Sequence, residues 1–505
     1  MRASWIVVLL LGTSLGACAV GPDYRVPKPD LPESFAAASG GAVPAGAAPD
    51  LAAWWHSLND PELDSLVDRA VQSNLDIAIA LDRLQAARTY EVVVVGHALP
   101  EIDASGADGR GTGSDLSRGR AQQALVSADN SSGLQHINTL GGFDAVWQVD
   151  LFGKYRREFA AAHAETQAAR DARYGVLTAV IADVVRAYVD LRGLQARAAI
   201  LHRADEVLRE SVRLVTLRYQ RGITNELDVA LATRELAALE SQLRPVAASV
   251  SAAQYSLAVL IGEYPEVLVP ELSRPELIPA MPAPVAAGAP IDLLQRRPDI
   301  RQAERELAAA TDRVGVATAN LFPQIALIGS IGAEGQDWGT TPIVGKHIWS
   351  FGPGAVWPLL DFGALDAEVD VAGLAARASL TNYRKTILRA VEQVDTSLDA
   401  FQAQEARLGE LGTAMVAGDR AVELATQRYD RGLSDFLNVV DAERQLYELQ
   451  EQYAEAQVAA GEAFVQLYRN LGGGWENYTA VPATRIPQPA VVAAFRRLFD
   501  HSVAF

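Results

Sequence analysis

The chain of 505 residues carries a formal net charge of −18, seven histidines and a single cysteine, Cys18. A lone cysteine excludes intrachain disulfides and multi-cysteine metal sites, and so acidic a chain, without basic clusters, is a poor nucleic-acid binder. Beyond the N-terminal residues no segment offers the roughly eighteen uninterrupted apolar residues of a transmembrane helix, which leaves strands closed into a barrel as the way to cross a membrane.

Met1-Arg2 precedes a short apolar run, Trp5 to Leu11, and then Leu15-Gly16-Ala17-Cys18. This reads as a secretory signal peptide over residues 1–17 ending in a bacterial lipobox, in which Cys18 is lipidated and becomes the first mature residue. Its removal takes away only Arg2 and leaves −19. Ala19 is not the aspartate that would retain a lipoprotein at the inner membrane, so the expected destination is the outer membrane, with a multi-acylated cysteine as a stable anchor. Gly21 to Asp50, rich in Pro, Ala and Gly, reads as an extended tether or surface-hugging arm.

From Pro61 to His97 the pattern turns helical. Leu63, Leu66, Val67 and Ala70 share one face, and Leu75, Ile77, Ile79, Leu81 and Leu84 follow a break near Asn74. Pro100 ends that helix, and Glu101 to Asn138, polar and full of Gly and Ser, does not read as core. Gly142 to Asp150 alternates, with Phe143, Ala145, Trp147 and Val149 on one face and Asp144, Gln148 and Asp150 on the other, the period of a half-exposed strand. Residues 154–221 contain no proline, and as one helix they would span roughly 100 Å, more than a single-domain globular core needs. A second helical run, Thr224 to Arg244, continues towards Ile261, with Pro245 expected to kink it or mark a seam. Glu263 to Pro290, with seven prolines in 28 residues, reads as a linker or small irregular region.

The chain then repeats itself. Arg218-Tyr-Gln-Arg-Gly222 returns as Arg428-Tyr-Asp-Arg-Gly432, and Trp147, Phe152 and Gly153 return as Trp357, Phe362 and Gly363, all 210 residues on. Asp76-Ile77 through Pro100 returns as Asp299-Ile300 through Pro323, 223 residues on, so the first hairpin region is the longer by 13. Pro323 to Gly332 and Ile348 to Leu359 are strand candidates, a proline-free run from Ala364 to Leu471 follows, and Gly472-Gly473-Gly474 reads as a helix stop. Each half is helix, strand, loop, strand, long helix, glycine turn, helix, the mark of a duplicated chain.

Two hairpins give four strands, too few to close a barrel, and unpaired edges in lipid are costly. Closure has to come from other copies, three of them giving about twelve strands, within the range of outer-membrane barrels. Trp147, Trp349, Phe351 and Trp357 fit an aromatic girdle on the lipid-facing side, or the core of a soluble sandwich. Alanine-rich stretches such as Ala160 to Ala164 and Ala372 to Ala378 permit close packing in a helical wall wetted on one side, and a coiled-coil stalk shares that periodicity.

The lipobox, the early Gly21-Pro-Asp-Tyr24 segment, the doubled hairpin and long-helix plan and the paired Arg-Tyr-x-x-Gly strings resemble the TolC-like outer-membrane factors of tripartite efflux pumps. The resemblance is closest to the lipidated OprM/NodT branch and covers Cys18 to about Trp475. It implies an α+β fold in which a homotrimer combines a long periplasmic α-helical barrel with a 12-stranded transmembrane β-barrel. It further implies a passive exit duct for drugs or other small substrates, working with an RND-type inner-membrane pump and a periplasmic adaptor (membrane fusion) protein, with no cofactor beyond the lipid on Cys18. On this plan residues 18–60 are the lipidated arm and equatorial segment, and 61–262 the first repeat, with a hairpin at about 100–150 and a helical tip near 222. Residues 263–290 are an equatorial linker, 291–474 the second repeat, with a hairpin at about 323–361 and a tip near 432, and 475–505 an equatorial tail.

The resemblance makes Gly222 and Gly432 the periplasmic tip turns, where antiparallel helices reverse and a positive φ suits glycine. It also implies a gate in which Tyr429, three residues before the second glycine, hydrogen-bonds Asp228, six after the first. Relatives ring the aperture with acids six and nine residues after the second glycine, here Asn438 and Asp441, which implies one acidic ring in place of two and weaker cation selectivity. A latching arginine used by some relatives is Ser434 here, so the lock departs from their pattern.

Nothing favours an enzyme: the histidines lack metal-ligand spacing, and there is no His-Glu-x-x-His, Gly-x-Ser-x-Gly or phosphate-binding glycine loop. Two further readings stay open, a type I secretion duct for protein cargo and a periplasmic coiled-coil scaffold lipoprotein without a pore.

Overall fold

The computed structural model describes residues 19–37, 51–111, 136–282, 288–338 and 341–480. The expected signal peptide over residues 1–17, Cys18, residues 38–50 and 112–135 and the expected equatorial tail beyond residue 480 lie outside the described residues. Asp60 caps α1 (Pro61–Ser73) by accepting from the amides of Glu62 and Leu63, and Pro61 sits at the first helical position, where its missing N–H is harmless. Asn74 ends α1 with an extended backbone and starts α2 (Leu75–His97) by accepting from Asp76 and Ile77. Its side-chain amide also donates to the Leu260 carbonyl at 2.8 Å, which ties this break to the far end of a later helix.

The first hairpin is β1 (Glu101–Gly111) and β2 (His136–Val149). Gly153, at φ 81, turns the chain into α3 (Lys154–Gln220), 67 residues long, and α4 (Glu226–Leu260) runs back. Of the kink or seam expected at Pro245, the seam is not there, because α4 continues through it with the proline inside. Pro245 is exposed, so the carbonyl that loses its donor faces water, while Val246 beside it is buried. The proline-rich stretch is likewise more ordered than expected. It holds α5 (Pro265–Leu272), whose Leu268 and Leu272 are fully buried and whose last carbonyl accepts from Gln195 and Gln254.

A short α6 (Leu293–Arg296) leads into the second repeat: α7 (Pro298–Ala319), β3 (Gln324–Trp338), β4 (Thr341–Val356), α8 (Ala364–Asp430) and α9 (Phe436–Leu471), which Gly472 ends at φ 81. The duplication extends to register, since Glu101 opposite Val146 in the first hairpin is answered by Gln324 opposite Val356 in the second.

All four strands form one antiparallel sheet in the order β1-β2-β3-β4, with β1 and β4 as open edges. Ala104, Phe143, Ile331 and Trp349 form one row on an apolar face. Asp144, Ser330 and Ser350 form a row on the opposite face, where Ser105 donates to Asp144 at 3.0 Å and the two serines bond at 2.7 Å. The Gly- and Ser-rich stretch therefore contains β1, whose Glu101, Asp103 and Ser105 share the polar face of the sheet.

The main core lies partway down the long helices, where Trp54 and Trp55 meet α1, α3 and α9. Trp54 stacks on Tyr468 with centroids 5.1 Å apart, and Arg192, fully buried, bonds Glu62, Tyr188 and Gln195. Among the described residues no helix is long and apolar enough to cross a membrane.

Candidate functional site

The repeated strings form the turns at the far end of α3 and α8, each about 100 Å from the strands. Gly222 donates to the Tyr219 carbonyl at 2.8 Å and Ile223 to that of Arg218 at 2.9 Å, while Gly432 and Leu433 do the same to Tyr429 and Arg428 at 2.9 and 2.8 Å. This paired pattern satisfies the last carbonyls of a helix and needs a left-handed residue. Gly222 and Gly432 supply it at φ 71 and 70, and no atom lies within 4 Å of where a Cβ would stand, so conformation and not crowding selects glycine.

The two turns pack together through Val215, Ala232, Phe436, Val439 and Val440. Tyr429 sits at the edge of this cluster, its ring 5.2 Å from that of Phe436. The Arg218 guanidinium lies 4.4 Å over the Tyr429 ring and 3.8 Å from Asp430. Arg218 belongs to the first repeat and Tyr429 to the second, so this cation–π stack couples them. The expected Tyr429–Asp228 hydrogen bond is absent: Thr224, on the same turn, donates to the Asp228 carboxylate, and the buried Tyr429 hydroxyl has no partner among the described residues. Burial raises the Tyr429 pKa, with Arg218 opposing, Asp228 and Asp430 adding to it, and the Thr224 hydroxyl, near but outside good hydrogen-bond geometry, slightly opposing.

Among the described residues the buried Ser434 Oγ has no partner, and Asn438 is exposed, its side chain donating to the Asp435 carbonyl at 3.4 Å. Asp441 is not a bare acid. Arg444 and Gln445 each donate to it at 2.8 Å. Glu443, nearby on α9, is buried with an unpaired Oε2, and burial pushes its pKa to about 7. Sequence reasoning missed Arg218, Glu443 and Arg444. Arg218 was within reach, since it opens the repeated string, whereas the burial of Glu443 depends on helix packing that leaves no mark in the local sequence.

At the strand end, Trp349 and Phe351 stand exposed on β4. Trp147 and Trp357 have a second task that the girdle expectation left out. Their indole N–H groups donate to the carbonyls of Ala98 at 3.0 Å and Leu321 at 3.1 Å, pinning each strand end to the helix that precedes its hairpin. A sheet with one apolar and one polar face, joined to helices far longer than a globular core requires, has the construction of a conduit wall. A family model described as outer membrane efflux protein matches residues 66–263 and 289–473.

The chain belongs to the outer membrane efflux protein family.

Nodulation protein T of Rhizobium leguminosarum bv. trifolii is 31% identical to it, covering 91% of this chain and 95% of its own. The toluene efflux pump outer membrane protein TtgC of Pseudomonas putida is 29% identical over 95% and 97% of the two chains. The solved structure of the outer-membrane channel OprN is 33% identical, with a TM-score of 0.80 over 91% of this chain and 100% of that one. This outer membrane efflux protein thus has the TolC-like α+β fold, resides in the outer membrane and is an efflux channel.

Proposed function

We propose that three copies close the sheet into a barrel of about twelve strands, and that the helical hairpins form a periplasmic tube beneath it. The result is a passive exit duct for drugs or other small molecules, fed by an RND-type inner-membrane pump through a periplasmic adaptor. The observation that carries this reading is the two-faced sheet with open edges at β1 and β4, which persists in lipid only when further copies pair those edges. A lipid on Cys18 fits the same picture, since the Val20 amide bonds the Phe152 carbonyl at 3.1 Å, at the strand-to-helix junction. Ile223, Leu227, Leu433 and Leu437, all more than half exposed at the tip, offer the adaptor an apolar rim.

In this reading the Arg218–Tyr429 stack and the apolar cluster hold the tip shut, and Arg444 screens the Asp441 ring. Toluene, named for TtgC, favours small cargo over secreted protein. A scaffold without a pore would leave the polar sheet face without purpose. Cells lacking this chain should accumulate an exported fluorescent dye several-fold above the parent and recover on re-expression. Equal accumulation with the rest of the pump present would overturn the assignment.

A further inference from the structure

The duplication defines an interface that a single copy does not contain. Within the chain, the first repeat meets the second along α3 against α7 and β2 against β3. Moving the first partner of each contact forward by 210 residues and the second back by 223 turns that seam into one between the second repeat and the first repeat of another copy. Repeats of one fold arranged around a common axis meet through equivalent surfaces, so the converted contacts can be read residue by residue.

Phe152 stacks on Phe322 with centroids 4.7 Å apart, and the counterpart is Phe362 on Leu99. Phe362 is 92% exposed, without a partner for its ring among the described residues. Gln167 accepts from Arg305 at 3.2 Å, and the counterpart is Arg377 with Asp82, opposite charges that are both exposed and form no ion pair among the described residues. Ala164, buried with Ala308 and Ala309, corresponds to Leu374, which is 56% exposed. The sheet gives the sharpest correspondence. Gly142 pairs with Gly332 so closely that a Cβ on Gly142 would stand 2.9 Å from the Gly332 Cα. Their counterparts are Gly352 in β4 and Gly109 in β1, again both glycine, and a Cβ on Gly352 would meet nothing within 4 Å in one copy.

We propose that α8 and the edge of β4 dock on α2 and β1 of a second copy of this chain in this register, with Gly352 opposite Gly109, Arg377 beside Asp82 and Phe362 on Leu99. The inference rests on the trimer reading and deepens it by naming the contacts. Residues of three kinds agree independently: two glycines where backbones approach, two opposite charges where the in-chain seam has a hydrogen bond, and an exposed ring facing an apolar side chain. The correspondence also predicts where the seams differ. Arg157 bonds Asp312 at 3.0 Å, whereas Ala367 and Thr89 stand at the equivalent positions, so the seam between copies is the less charged of the two.

The test is cross-strand disulfide formation in the full-length protein, since directly opposed strand residues approach disulfide geometry. Gly109→Cys with Gly352→Cys should give linked dimers and trimers on denaturing, non-reducing gels, and Gly142→Cys with Gly332→Cys should stay at monomer mass. Linkage by Gly109→Cys with Gly354→Cys in place of the first pair, in material of trimer mass, would overturn the register while leaving the trimer reading intact. Monomer mass in detergent together with no linkage would remove both. Should the cysteine variants fail to fold, Asp82→Arg and Arg377→Asp supply a second measurement. Each alone should lower the temperature at which the trimer band is lost, and the double reversal should restore it; no restoration would overturn the pairing.

Discussion

Tyr429→Phe and Arg218→Gln separate two ways of locking the tip. Among the described residues the Tyr429 hydroxyl is buried with no well-formed hydrogen bond, Thr224 being a polar neighbour, so removing it costs little and can gain about 1 kcal/mol, the low end of the desolvation of an unpaired group. Arg218→Gln removes the guanidinium that stands 4.4 Å over the ring, worth about 0.5–2 kcal/mol, and its contact to Asp430 at 3.8 Å, where partial exposure limits the gain to a few tenths of that. In a trimer whose tips release together the loss triples to about 1.5–6 kcal/mol, a tenfold to ten-thousandfold shift towards the open state. Purified protein in planar bilayers reads this as open probability. Arg218→Gln should raise it by at least tenfold and Tyr429→Phe should leave it at or below the wild-type value. Equal opening by the two variants would instead assign the lock to the tyrosine hydroxyl and overturn the role given to Arg218.

Glu443 gives a pH prediction. Its carboxyl titrates at about 7 in the folded chain and near the ordinary value of about 4.3 when unfolded, so the folded state holds the proton more tightly. Stability of the tip packing therefore falls as pH rises between these values and levels off above about 7, with a total of no more than about 4 kcal/mol. Limited proteolysis of the tip should be faster at pH 8 than at pH 5, and Glu443→Gln should flatten that difference; an unchanged profile in the variant would assign the effect elsewhere. Gly193 lies where an added Cβ would stand 2.1 Å from a Val458 methyl, so Gly193→Ala should lower Tm by overpacking of about 1–3 kcal/mol, partly recovered by Val458→Ala. Arg444→Gln should raise cation permeability, measured as reversal potential across a KCl gradient, because Asp441 loses its counter-charge, and Asp441→Asn should lower it.

Much of the architecture is legible in the sequence because duplication writes it twice. The Arg-Tyr-x-x-Gly strings locate both turns, and the absence of proline from residues 154–221 gives the length of α3. At Pro245 the sequence leaves kink and seam open, because the cost of an internal proline depends on whether the freed carbonyl meets water, which composition does not reveal. The stretch from Glu263 to Pro290 misleads in the opposite direction, since Leu268 and Leu272 order α5 only by reaching a core built elsewhere. At the tip, local sequence finds the glycines, whose φ is a local property, and misses the lock. Arg218 and Tyr429 are 211 residues apart and meet only once both repeats have folded. Thr224 takes Asp228 from within its own turn, so the nearer donor defeats the expected long-range bond.

Copies of this chain, on the proposed assembly, enclose a water-filled bore across the outer membrane. Reconstitution of detergent-purified protein into planar bilayers, with the mass of each fraction measured beforehand, tests it most directly. Fractions of trimer mass should give discrete conductance steps of one size, enlarged in occupancy by Arg218→Gln, and monomer none. Trimer that stays electrically silent even as the Arg218→Gln variant would contradict that bore.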